Sequence, residues 1–139
     1  MGKYVLIACC KTKREEPKKF KACDLYVSDL FKKSMAYAKS LTPDNIFILS
    51  AKYDLLELDN EITYYEEKLS DKPIDKRKEW AETVIKKLSE ITDLQNDEFI
   101  FLAGNDYIKD LERKIKFSKN PLKGKRPGER KKWLKENTP

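Results

Sequence analysis

An α/β fold, three layers with a mainly parallel sheet of about four strands and helices on both faces, is predicted by three observations in this chain. The runs Tyr4-Val5-Leu6-Ile7, Ile46-Phe47-Ile48-Leu49 and Phe99-Ile100-Phe101-Leu102 are apolar throughout, as strands buried on both faces must be. Each run passes into small and then polar residues: Ala8-Cys9-Cys10-Lys11, Ser50-Ala51-Lys52 and Ala103-Gly104-Asn105. Between the runs, apolar residues recur at helical spacing, which makes the strands parallel and gathers their polar ends on one edge. Ligands of open α/β sheets bind beyond that edge.

Taken in order, the first strand runs into a charged loop over residues 11–24, where Pro17 disfavours a helix. Leu30, Phe31, Ser34, Met35, Ala38 and Leu41 then form one face of a helix that Ser28 or Asp29 can cap. Thr42-Pro43-Asp44-Asn45 ends it, and the second strand follows. Residues 54–73 read as a long ordered loop, anchored by Leu55, Leu56 and Leu58 with Tyr64 and Tyr65 at its middle. From Asp75 a core-packing helix presents Trp80, Ala81, Val84, Ile85, Leu88 and Ile91. After the third strand, a helix over 105–115 carries Tyr107, Ile108, Leu111 and Ile115. Asn120 to Gly128 is a turn-rich connector, and Glu129 to Leu134 reads as a short helix docked through Trp133 and Leu134.

The chain of 139 residues is expected to be one domain, 1–139, with a basic C-terminal segment over 113–135. That segment holds eleven Lys/Arg and one acid, a tail of +10 on a body of −4. The asymmetry suggests an anionic partner such as nucleic acid, although a solubilising surface has the same composition. There is no histidine, which removes Ser-His and Cys-His nucleophile pairs and His-ligated metals. Three cysteines, two of them adjacent, make neither a disulfide framework nor a CxxC site, so no structural zinc site and no cofactor is expected, while a carboxylate-bound Mg²⁺ stays open. No apolar run approaches the ~20 residues that cross a bilayer, and Lys3 precedes a segment too short for a signal peptide's apolar core. A cytoplasmic protein without a membrane partner is expected.

Several spaced motifs carry a family resemblance. Cys10-Lys11-Thr12-Lys13, Ala22 with Asp24-Leu25-Tyr26, Ser28 with Leu30-Phe31, Leu49-Ser50-Ala51-Lys52-Tyr53, Ala103-Gly104 with Tyr107, and Pro121-Leu122 with Gly124, Gly128, Arg130 and Trp133-Leu134 span almost the whole chain. They resemble the signatures of an uncharacterised family of small bacterial and phage proteins. That family is distantly similar to the peroxide-stress protein YaaA and to the glycosylase-like domain of archaeal tRNA-guanine transglycosylase-type enzymes. The distant relatives imply a nucleobase or nucleic-acid connection, with base modification or excision as the chemistry. Two positions depart from the pattern: Asp54 stands where glycine is common, and Lys125 where an apolar residue is usual.

The residues themselves offer candidates and bland alternatives side by side. Lys11, Thr12 and Lys13 can hold a phosphate through backbone N–H groups, a hydroxyl and ammonium groups, or form a solvated loop; the glycine spacing of a P-loop is missing. Ser50 can hydrogen-bond a substrate, and Lys52 can supply a charge or, if desolvated, a base. Cys9 and Cys10 are nucleophile candidates beside Lys11, but small residues are also what a tightly packed strand end requires. Asp24 is the acid candidate for N-glycosidic chemistry, by analogy with glycoside cleavage, or a partner for a lysine. Tyr26, Tyr53 and Tyr107 can hold a base by stacking, or fill the core. Gly104 lets a ligand come close, and Arg130 can take a phosphate or carboxylate bidentately.

The expected function is therefore binding of a nucleobase, nucleotide or nucleic acid, with glycosylase-like hydrolysis or transfer at an N-glycosidic bond. Asp24 and Lys52 would be catalytic; Cys10, Lys11, Thr12, Lys13, Tyr26, Ser50, Tyr53, Gly104, Tyr107 and Arg130 would bind substrate. The alternative is a non-catalytic nucleic-acid-binding accessory module that uses its basic tail.

Overall fold

A computed structural model describes residues 2–8, 15, 18–65 and 67–139. The sequence-predicted loop residues Cys9, Cys10, Lys11, Thr12 and Lys13 lie outside these. The strands are β1 (Lys3–Ala8), β2 (Phe20–Lys21), β3 (Asn45–Ser50), β4 (Asp54–Glu57), β5 (Glu61–Ile62), β6 (Glu98–Leu102) and β7 (Phe117–Lys119). The helices are α1 (Ala22–Leu25), α2 (Asp29–Ser40), α3 (Ile74–Ile91), α4 (Asn105–Ile108) and α5 (Pro127–Asn137).

The main sheet has five strands in the order β4-β3-β1-β6-β7, and a two-stranded ribbon pairs β2 with β5. β1 is parallel to both β3 and β6, with Leu6 opposite Phe47 on one side and Phe101 on the other. β7 is parallel to β6, and β4 folds back antiparallel on β3. Because side chains alternate across a sheet, each buried strand feeds two cores. Val5, Ile7, Ile46, Ile48, Ile100 and Leu102 meet Leu25, Phe31, Met35 and Ala38 of α1 and α2, together with Leu134 of α5. Leu6, Phe47, Leu49, Phe99 and Phe101 instead meet Trp80, Val84 and Leu88 of α3, and Ile108, Leu111 and Ile115 beyond β6.

The helices form where the spacing places them. Ser28 caps α2 by accepting from the Phe31 N–H at 3.1 Å, and α3 buries Trp80, Ala81, Val84 and Leu88 on one face. α5 begins at Pro127, docks Leu134 with no exposure, and sets Trp133 edge-on to Tyr37 of α2, ring centroids 5.0 Å apart. At the sheet's other edge Asp97 ties the chain together, accepting from Gly2 N at 2.6 Å and Asp93 N at 2.8 Å.

Three expectations need correction. Residues 54–73 are not all loop: β4 gains a ladder with β3, β5 pairs with β2, and Leu69–Asp71 is a 3₁₀ turn. The charged segment over 11–24 likewise ends in structure, since β2 and α1 occupy Phe20–Lys21 and Ala22–Leu25. The helix over 105–115 is broken into α4, a turn and a 3₁₀ helix at Glu112–Lys114, which bury Ile108, Leu111 and Ile115 without a continuous helix.

Candidate functional site

Three parallel strands, β1, β3 and β6, end on one edge, and the structure treats the ends differently. At the end of β3 the polar groups are spent on one another. Ser50 is fully buried, its Oγ 2.8 Å from Tyr65 Oη, and it accepts from Tyr53 N at 3.1 Å and Lys52 N at 3.3 Å. Its carbonyl accepts from the Trp80 indole at 2.8 Å. Tyr65 Oη lies 2.5 Å from Tyr26 Oη, so three buried hydroxyls run in a chain from β3 to the residue after α1. Tyr53 packs edge-on against Tyr65, centroids 5.4 Å apart. Lys52 is exposed, with Nζ 5.4 Å from the Tyr53 ring centre, so the described residues do not provide the desolvation that a lysine base requires.

Between the ends of β1 and β6 the arrangement is open. A cavity of about 240 Å³ is lined by Ala8, Ser28, Ser34, Gly104, Tyr107 and Arg130 among others, over an apolar floor of Leu30, Phe31, Leu102 and Leu122. Arg130 comes from the first turns of α5. Its Nε donates to the Lys125 carbonyl at 2.8 Å, which fixes the guanidinium plane, and Lys125 N in turn donates to Leu122 O at 3.1 Å. Among the described residues Lys125 is engaged through its backbone, which explains why a lysine serves where the resemblance leads one to expect an apolar side chain. A Cβ on residue 104 would stand 3.8 and 3.9 Å from Arg130 Nη1 and Nη2, so the glycine lets the fork lie against the end of β6. Tyr107 stands edge-on to Trp80 at 5.7 Å. Asp106, the acid at the rim, is 3.6 Å from Arg77.

Of the sequence-predicted site residues described, Gly104, Tyr107 and Arg130 meet in this cavity, while Tyr26 and Ser50 belong to the hydroxyl chain. Tyr53 and Lys52 sit beside that chain. Asp24 is on the exposed side of α1, apart from the cavity lining. Its neighbour Cys23 keeps its thiol pKa raised, first by burial and then by the Asp24 and Asp59 charges. Residues that sequence reasoning missed are Tyr65, the centre of the hydroxyl chain, and Ser28, Ser34 and Asp106 around the cavity.

Position explains why the cavity lies there. β1 leads to β3 through α2, which packs in the core of Val5 and Ile7; β6 leads to β7 through Ile108, Leu111 and Ile115, which pack in the core of Leu6 and Phe101. The connections leave β1 and β6 toward opposite sides of the sheet, and a crevice opens where adjacent strands diverge in this way. Fold and site together define a mainly parallel α/β protein with a cavity at its topological switch point. The chain matches DUF6884, a family of unknown function, over residues 4–136 and belongs to it. No curated protein and no solved structure matches it. Among the described residues, no helix is long and apolar enough to cross a membrane, and no cluster of Cys, Asp and Glu is arranged to hold a metal ion.

Proposed function

We propose that this protein binds a nucleobase, nucleotide or nucleic-acid segment at the C-terminal edge of a three-layer α/β domain. The observation that carries the reading is the cavity between β1 and β6, because the switch point is where parallel α/β sheets receive nucleotides. Its chemistry supports the class: an apolar floor for a flat ring or sugar, one fixed guanidinium, two serine hydroxyls and a tyrosine at the rim. The resemblance to the glycosylase-like domain of transglycosylase-type enzymes points the same way. Chemistry at an N-glycosidic bond belongs to this proposal as a second step and needs an acid at the bound sugar; Asp106 lines the cavity, whereas Asp24 does not.

A thermal-shift screen with nucleobases, nucleosides, nucleotides and short DNA and RNA tests the reading, using wild type beside Gly104→Leu and Lys52→Ala. A ligand at 100 times its Kd adds about 2.7 kcal/mol of stability. The expected result is a salt-tolerant shift that Gly104→Leu abolishes by filling the cavity and Lys52→Ala preserves. A shift seen only with polymers and erased by salt would replace it with the second reading, a nucleic-acid-binding module. That reading is favoured by the exposed Lys123, Arg126, Lys132 and Lys135.

A further inference from the structure

We infer that the cavity between β1 and β6 is a phosphate subsite, so that the ligand is recognised as a phosphomonoester, a nucleoside monophosphate rather than a free base or nucleoside. This rests on the nucleotide-binding reading and narrows it. Three residues carry the inference, and all line the same space: Arg130, Ser34 and Ser28.

Arg130 is the fixed charge. With Nε committed to the Lys125 carbonyl, both Nη groups stay against Gly104, and among the described residues no carboxylate pairs with them. A guanidinium held in one plane with two parallel donors free is suited to phosphate or carboxylate oxygens. Ser34 separates those two. Apart from aromatic residues, the buried polar side chains among the described residues are Ser34, Ser50 and Asp97. Ser50 and Asp97 spend their oxygens on the partners given above, whereas the Ser34 hydroxyl, on a residue 2% exposed, has no hydrogen bond among the described residues and lines the cavity. With no partner among those residues, that hydroxyl is available to a ligand in the cavity.

Ser28 closes the set. Its Oγ accepts from Phe31 N, which leaves the hydroxyl proton free to donate outward, and it opens the twelve-residue α2, whose first-turn N–H groups carry partial positive charge. The donors therefore come from three directions: α5, the middle of α2 and the start of α2. A carboxylate places both its oxygens in the plane of the arginine fork; a tetrahedral phosphate has further oxygens out of that plane, toward the serines. Two acids nearby are already engaged: Asp29 with Lys33 at 3.2 Å and Lys131 at 3.8 Å, and Asp106 with Arg77. The volume of about 240 Å³ is below the ~300–1,000 Å³ of sites that enclose a whole drug-sized ligand, consistent with a subsite for part of a nucleotide.

Isothermal titration with the four ribonucleoside 5′-monophosphates, the four nucleosides and inorganic phosphate tests the inference on wild type, Arg130→Gln and Lys132→Gln. Both variants remove one positive charge from α5, but Lys132 lies on its exposed side. At least one monophosphate is expected to bind tenfold or more tightly than its nucleoside, a preference lost in Arg130→Gln and kept in Lys132→Gln. Equal binding of nucleoside and monophosphate by wild type would overturn the phosphate subsite while leaving the nucleoside reading standing. Equal loss in the two variants, or binding of inorganic phosphate without any nucleotide, would also overturn it. Binding of none of the probes would remove both readings. Should circular dichroism show Arg130→Gln unfolded, Arg130→Lys replaces it; retention of the full preference by that variant would contradict the fork.

Discussion

The ends of β3 and β6 are built from the same kind of sequence, small residues followed by polar ones, yet they are opposite in use. Beyond β3, Ser50 accepts two backbone N–H groups, meets Tyr65 and through its carbonyl holds Trp80, so its polar atoms are satisfied inside the protein. Beyond β6, Gly104 carries no side chain, and polar groups from the cap and body of α2, from α4 and from α5 face a cavity. The difference is one of topology. β3 turns straight back into β4, so its end is closed by a hairpin, whereas the connections from β1 and β6 diverge and leave a crevice.

Breaking the clasp that carries Arg130 should have the largest effect. Leu134 is fully buried between α5, α2 and the sheet, and Leu134→Ala should cost about 2–5 kcal/mol in urea unfolding. Next comes the closed end. Ser50→Ala removes the acceptor for two N–H groups and the neighbour of Tyr65 Oη, so a loss of about 1–3 kcal/mol is expected. Ligand affinity in this variant should stay within about twofold of wild type, because the site is distinct from the cavity. If Ser50→Ala instead abolished binding at unchanged stability, the two strand ends would be one site.

A smaller effect is expected at Asp54, whose φ of 64° is the left-handed backbone that glycine adopts most cheaply. The resemblance leads one to expect glycine here, and Asp54→Gly should raise stability by up to about 1 kcal/mol. The gain is reduced by loss of the exposed Lys87 ion pair at 3.5 Å. The smallest effect is a pH dependence at Asp93. Hydrogen bonds from Asn96 and Gln95 lower its pKa, so the contribution is present above the unfolded-state pKa and fades as pH falls through the lower folded one. Asp93→Asn should flatten the acid side of a stability–pH curve by lowering the neutral side toward the acid level, with the two proteins converging at low pH.

Much of this frame was legible in the chain because it is driven by burial. Val5 to Ile7, Ile46 to Leu49 and Phe99 to Leu102 are buried on both faces, and α2, α3 and α5 carry the apolar residues or caps that the spacing required. β7 was not legible, since all three of its residues are exposed on a sheet edge and Phe117 alone among them is apolar, too little to make a run. β4 was hidden because it has only four residues, of which Leu56 alone is fully buried, and starts from the left-handed Asp54. The cavity was legible in pieces: Gly104, Tyr107 and Arg130 could each be singled out. What brings Arg130 to Gly104 is the docking of α5 through Leu134 and Trp133, a contact between distant segments that no local pattern encodes, and the local turn from Leu122 to Lys125 then holds its guanidinium. Ser34 reads as one more small residue on the apolar face of α2, and Tyr65 as the middle of a loop. Their roles depend on what faces them.

The most direct test is a ¹H–¹⁵N spectrum of the protein titrated with the four ribonucleoside 5′-monophosphates in turn. Binding at the switch point predicts shifts concentrated in the amides of Ala8, Ser28 to Phe31, Ser34 and Gly104, with Ser50 to Tyr53 little changed. Shifts confined to Lys123–Lys135, or no shifts with any of the four, would contradict it.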